Sequence, residues 1–304
     1  MTTRAVGPGH GWSWLTRAVN LGGHNAGAIF GGAALMLVVV LVLAVGLALV
    51  AGGLQLAMQP GAATGMLVSF LIMVPLMAVI CALMVGYLRL LDAVENGRPA
   101  SAGDVFSGFR DLGTSGRVLG FVLLLAIAQY LLMGGLIALL APEFGKWYIE
   151  VMQASSAGGT PPDPSSVPSG FSAVFAVLVI VGLFVYAVQA LGVGQIALRG
   201  RGIGAALGDG LSGSLKNLLP LLVLLLVCLG AAIVAGVAVF LLAMLVGLLG
   251  KLAGAWLAIL LAIPLYLLAM LVLYVVMFGV MYFMWRDICG DGAAPAPRDD
   301  QVEV

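Results

Sequence analysis

Apolar positions run unbroken through six stretches of the chain, near residues 27 to 56, 66 to 88, 118 to 141, 171 to 196, 218 to 248 and 253 to 285. None of them contains Asp, Glu, Lys, Arg or His. About 20 apolar residues in helical form cross a hydrocarbon core of roughly 30 Å, so each stretch predicts a transmembrane helix. A transmembrane β-barrel is excluded, because its strands alternate polar and apolar residues over about ten positions while these runs are continuous and longer. The predicted fold class is all-α, a polytopic membrane protein of six spans.

Between the spans the pattern changes to helical periodicity with mixed polarity. Before the first span, Trp12, Leu15, Ala18 and Val19 fall on one face and Ser13, Thr16, Arg17, Asn20 and His24 on the other, as in a helix lying in the headgroup plane. Trp12 and Trp14 suit that depth. A second segment starts at Ser101, whose hydroxyl can cap a helix with Asp104 three residues on. There Val105, Phe106, Phe109 and Leu112 form a stripe opposite Arg110 and Asp111. A third sets Ile203, Leu207, Leu211 and Leu215 against Asp209, Ser212, Lys216 and Asn217, and its glycines predict a weak helix.

The second and third segments resemble each other. Gly103 to Gly108 aligns with Gly208 to Gly213, and a Gly-Arg pair, Gly97-Arg98 or Gly200-Arg201, precedes each. Pro75 and Pro264 occupy matching places in the second and sixth spans. The predicted unit is an interfacial helix followed by a span pair, near residues 10 to 91, 98 to 199 and 200 to 289, in one membrane domain covering 1 to 289.

The longest segment between spans, 142 to 170, has an amphipathic first part with Phe144, Trp147, Tyr148, Val151 and Met152 at helical spacing, then a Ser/Gly/Pro-rich tether. The tail from 290 to 304 reads as disordered.

Composition agrees with this class: 62% of residues are hydrophobic, 9% are charged, and mean hydropathy is +1.18. Net charge is zero, but its distribution is lopsided. If both termini are cytoplasmic, that face holds all 13 Lys and Arg except Lys146 and Lys251, the distribution the positive-inside rule requires. Arg4 and Arg17 precede a run too long for a signal peptide, so it is expected to remain as the first span.

Candidate chemistry is sparse. No metalloprotease, nucleophile-elbow or phosphate-loop motif occurs, so no enzyme activity, cofactor or metal is expected. Cys81 and Cys228 read as small packing residues. Asp104 and Asp209 sit where helix capping would place them. Candidate lipid or interface contacts are Trp12, Trp14, Arg17, Arg98, Phe106, Arg110, Trp147, Tyr148, Arg201, Lys216 and Arg286. Candidate polar or kink positions within spans are Pro75, Gln129, Gln189, Pro264 and Tyr266. Pairs such as Gly27 with Gly31 and Gly116 with Gly120 predict close helix approach.

Three motifs carry a resemblance: Gly11-Trp12-Ser13-Trp14-Leu15, then Gly97-Arg98-Pro99 leading to Gly103-Asp104 and Phe106, and Tyr282-Phe283-Met284-Trp285-Arg286-Asp287-Ile288. Together, over about residues 10 to 289, they resemble a family of uncharacterised proteobacterial inner-membrane proteins. The resemblance implies six spans and brings no activity with it. The chain departs from that pattern in its glycine-rich third segment.

The expectation is a non-enzymatic, multi-pass protein of the bacterial inner membrane that binds or organises lipid or a membrane or periplasmic partner, with no nucleic acid. The alternative is a transporter or channel for a neutral or lipid-like substrate.

Overall fold

A computed structural model describes residues 3–23, 25–58, 62–156, 168 and 170–290. His24, most of the tether (157–167 and 169) and the tail from 291 lie outside the described residues. Among the described residues the chain is helical: α1 (His10–Val19), α2 (Ala26–Met58), α3 (Ala62–Glu95), α4 (Leu112–Leu140), α5 (Pro142–Ser156), α6 (Phe171–Arg199), α7 (Ile203–Lys216), α8 (Leu218–Ala253) and α9 (Ala255–Cys289). Six of these, α2, α3, α4, α6, α8 and α9, are long and apolar enough to cross a membrane, and the chain is a multi-pass integral membrane protein. Helices α3 and α9 continue through Pro75 and Pro264.

The second amphipathic segment differs from expectation, forming a 3-10 helix over Ala102–Arg110. At its start the Asp104 carboxylate accepts the Ser101 backbone N–H at 2.7 Å, one half of a capping box. The two Gly-Arg pairs end spans. Gly97 at φ +67° and Gly200 at φ +66° take the left-handed conformation that closes α3 and α6, and the next residue turns its N–H back, from Arg98 to the Ala93 carbonyl at 2.8 Å and from Arg201 to Gln195 at 3.1 Å.

The three short segments share one packing rule. The 3-10 helix lies on α3, α7 on α6, and α1 on α9. Each also touches the odd span of that same pair: α2, α4 and α8 respectively. The contacts therefore close into a ring. At its centre α3, α6 and α9 all touch one another, while α2, α4 and α8 pack on them from outside.

Glycine makes these approaches close. A Cβ on Gly86 would lie 1.8 Å from the Val105 carbonyl oxygen, and one on Gly108 would lie 2.0 Å from that of Ala82. Gly210 and Gly213 of α7 meet Val188 and Leu191 of α6 in the same way, and Gly279 of α9 meets Ala18 of α1. Of the glycines of α7, read from sequence as weakening a helix, Gly210 and Gly213 thus set its distance from α6, whereas Gly204 and Gly208 have no neighbour within 4 Å. Of the small-residue pairs, Gly31 admits Ala102 and Gly120 admits Ile203, whereas Gly27 and Gly116 face no close neighbour.

In α7 small residues turn inward and large apolar ones outward, and in α1 Trp14 alone among the large residues joins the small ones inside. In α7, Ala206, Gly210, Gly213 and Ser214 are buried while Leu211 and Leu215 are exposed. In α1, Gly11, Trp14 and Ala18 are buried while Trp12 and Val19 are exposed. An outward leucine or tryptophan is favourable where the surroundings are lipid.

The core is one-sided along the spans. Buried side chains concentrate at 28–36, 81–94, 114–125, 187–197, 221–224 and 275–289, all in the span halves next to the short segments, here termed the polar end. Among the described side chains the opposite halves are largely exposed, as bilayer contact allows. A small satellite cluster at the far end joins Phe144 of α5 to Ala141 and Val174, with Trp147 packed against it.

Candidate functional site

At the polar end the last turns of α9 meet both α1 and the last turns of α3, and charged side chains pair there. The indole N–H of Trp14 donates to Asp287 Oδ2 at 2.9 Å. Arg17 grips both oxygens of that carboxylate, Oδ1 at 3.3 Å. Arg286 Nη1 donates to Glu95 at 3.1 Å, the Tyr282 hydroxyl donates to Asp92 at 3.1 Å, and Arg98 pairs with the same Asp92. Phe283 has two guanidinium neighbours, Arg17 at 4.6 Å and Arg286 at 4.8 Å from its ring centre. Three carboxylates here match three arginines. Each carboxylate in the cluster is paired, and the cluster acts as a clasp, fastening α1 and α3 to α9.

A strap reinforces it. The Arg4 N–H donates to the Ile288 carbonyl at 3.0 Å and the Val6 N–H to Asn217 Oδ1 at 2.8 Å, while Asn217 Nδ2 returns a bond to the Arg4 carbonyl at 3.0 Å. Lys216 Nζ donates to the Thr3 carbonyl at 3.2 Å and hydroxyl at 3.1 Å.

A second group links the remaining elements. Asp209 is buried on α7, where Gln195 Nε2 donates to it at 2.7 Å and Arg201 at 2.9 and 3.2 Å. Its role is therefore interhelical pairing and not the capping that Asp104 performs. Arg89 of α3 donates to Asp111 at 2.6 Å and to the Ala197 carbonyl at 3.2 Å. Asp111 caps α4, accepting the Thr114 N–H at 3.1 Å. The Arg89 hydrogen bond, helped by Thr114, holds the Asp111 carboxyl down at about 2 from an ordinary 3.8.

Beside the clasp lies an apolar groove. Trp12 and Leu15 of α1 form its upper wall, and Val227, Gly230, Ala231, Val234, Ala235 and Ala238 of α8 form its length, enclosing about 620 Å³. From Val227 to Ala238 the helix rises about 16 Å, close to one leaflet of a core roughly 30 Å thick. Small side chains on α8 make the surface concave, and α1 sits close above it because Gly11 meets the Pro220 carbonyl and the Leu224 N–H without a side chain.

The candidate contact residues thus divide. Trp12 is 58% exposed at the groove mouth, whereas Trp14 is fully buried. Arg17, Arg98, Arg201 and Arg286 face carboxylates, Lys216 holds Thr3, and Arg110 is exposed. Phe106 is half-buried, Trp147 is half-buried and Tyr148 is exposed. Within the spans, Pro75, Gln129, Pro264 and Tyr266 are exposed and Gln189 is half-buried, so these do not converge on one cavity. Tyr186 does make an interhelical bond, donating to the Met277 carbonyl at 2.9 Å. Cys81 is buried, while Cys228 is exposed on α8.

Sequence reasoning missed Asp92, Glu95 and Asp287 as clasp partners. A signal existed: Asp92 and Glu95 stand three apart on one helix face, and Asp287 follows Arg286 at a span end. Among the described residues no three His, Cys, Asp or Glu side chains could together hold a metal ion. Comparison of the chain with family models, with curated proteins and with solved structures finds no match.

Proposed function

We propose that this multi-pass protein works in a bacterial inner membrane with both termini cytoplasmic, as a non-enzymatic element that binds and organises lipid along its interfacial segments. The observation that carries the reading is the groove between α1 and α8, apolar throughout, about one leaflet long, and mouthed by the exposed indole of Trp12. An indole at the headgroup boundary above a concave apolar track suits a phospholipid, whose acyl chain would lie on Gly230, Ala231 and Ala235. The outward leucines of α7 extend the same lipid-facing role, and the clasp keeps α1 fixed over the groove. The exposed Tyr148 and Met152 face of α5 supports a further role in meeting a membrane or periplasmic protein partner.

The test is retained lipid. Protein purified in mild detergent is washed exhaustively, and bound phospholipid is quantified by mass spectrometry. Trp12→Ala and Gly230→Leu each lower the bound fraction, with elution profile unchanged; equal lipid in all three proteins would refute the reading.

A transporter or channel for a neutral or lipid-like substrate is the second reading, favoured by a crevice between α8 and α9 that Tyr266 lines and Pro264 flanks. Solute movement in liposomes that Gln189→Leu or Pro264→Ala abolishes would establish it in place of the first.

A further inference from the structure

The crevice between α8 and α9 lies at the far end from the clasp and groove. Ala243 and Gly247 of α8 face Ala258, Ala262, Tyr266 and Ala269 of α9 across about 470 Å³, within the ~300–1,000 Å³ of small-molecule sites. The helices close at the hairpin tip, where a Cβ on Gly250 would lie 2.8 Å from that of Ala258, and the space opens from there along the spans. From Ala258 to Ala269 α9 rises about 16 Å, again one leaflet of a core roughly 30 Å thick. The walls carry no charge. At the tip, by contrast, Lys251 and Trp256 are both exposed, an ammonium and an indole at the depth where headgroups lie.

We infer that this crevice is a binding site for one anionic glycerophospholipid of the far leaflet, with an acyl chain between α8 and α9 and its phosphate on the Lys251 ammonium. A leaflet-length apolar slot with a cation at its headgroup end is complementary to that molecule in both length and charge. The concave wall comes from alanine and glycine, so a polymethylene chain meets both helices without displacing a side chain. The inference deepens the lipid-binding reading above and rests on it, but it concerns the opposite leaflet and different residues.

The experiment uses the full chain in liposomes of phosphatidylcholine with a small fraction of phosphatidylglycerol bearing a photoreactive tail, followed by peptide mapping of adducts. Adducts are expected within 239–250 and 258–269, above the level on the exposed face of α4. Ala262→Phe and, on the opposite wall, Gly247→Leu fill the space and remove them. Lys251→Gln lowers labelling by the phosphatidylglycerol probe about fivefold and leaves that by a phosphatidylcholine probe unchanged. Because Lys251 is an exposed side chain, this arm decides the matter even if a filled variant fails to fold. Labelling that none of the three changes would overturn the site, as would a crosslink joining α8 or α9 to a second copy of the chain in place of lipid adducts. Absence of adducts in this crevice alone defeats this inference, whereas absence here and beside Trp12 together defeats the lipid-binding reading itself.

Discussion

Trp14 and Asp287 stand 273 residues apart in the chain, yet the indole N–H of one donates to the carboxylate of the other at 2.9 Å. That bond joins the opening Trp-Ser-Trp motif to the closing Trp-Arg-Asp motif. Arg98 comes within the same region through Asp92, which also accepts from Tyr282. The three motifs picked out by sequence thus meet at one place, where the ring of span pairs is fastened.

The clasp makes the two neighbouring tryptophans unequal. Trp14→Ala removes a fully buried indole and is expected to cost about 3–5 kcal/mol, read as a lowered midpoint of thermal unfolding in detergent. Trp12→Ala, at an exposed indole, leaves that midpoint within about 0.5 kcal/mol of the parent. Asp287→Ala falls between them, about 2 kcal/mol, since Arg17 and Trp14 lose their acceptor but part of the pair is open to water.

Close backbone approach is testable at glycine. Gly86→Ala and Gly108→Ala each force a methyl against a backbone carbonyl, so a loss of about 3 kcal/mol or more, or failure to accumulate folded protein, is expected. Gly116→Ala, with no neighbour within 4 Å, should gain about 0.5–1 kcal/mol from helix propensity. If all three behaved alike, the tight packing of the 3-10 helix on α3 would be wrong.

Acid should act through Asp111. Its folded-state carboxyl titrates at about 2 against an ordinary 3.8, so the unfolded chain binds its proton first as pH falls. The stabilisation from the Arg89 pair is complete above the ordinary value and disappears as pH drops from there through about 2. Other carboxylates titrate too, so the readout is the difference between the parent and Asp111→Asn. The two unfolding curves should be separated at neutral pH and converge at the acid end.

Orientation can be read in cells. With Cys228 replaced by Ala, a cysteine at Glu150 is expected to react with a membrane-impermeant maleimide in spheroplasts, and one at Ser101 only after permeabilisation. The reverse pattern would invert the topology drawn from the arginine distribution.

Much of this was legible in advance because lipid imposes a simple rule: an uncharged helix of sufficient length has one place to go. The six spans and the short helices α1 and α7 between or before them follow from local pattern. What stayed hidden depends on distant pairing. The arginines at 17, 98 and 286 served to orient the chain; the placement of Asp92, Glu95 and Asp287 at span ends marks them as available partners, but which arginine each meets is set only by the packing of distant helices. Likewise Gly210 lowers helix propensity wherever it stands, and only the nearness of the Val188 carbonyl reveals what it permits. Asp104 and Asp209 align in sequence but differ in use, because α7 turns its aspartate inward toward Gln195 and Arg201.

The most direct test of the lipid-organising account is a high-resolution structure in nanodiscs of native lipid. An ordered acyl chain along Gly230, Ala231 and Ala235, beneath Trp12, is the expected result. A bare groove accompanied by a hydrated passage through the middle of the bundle, reaching Gln189, would contradict the account and favour transport.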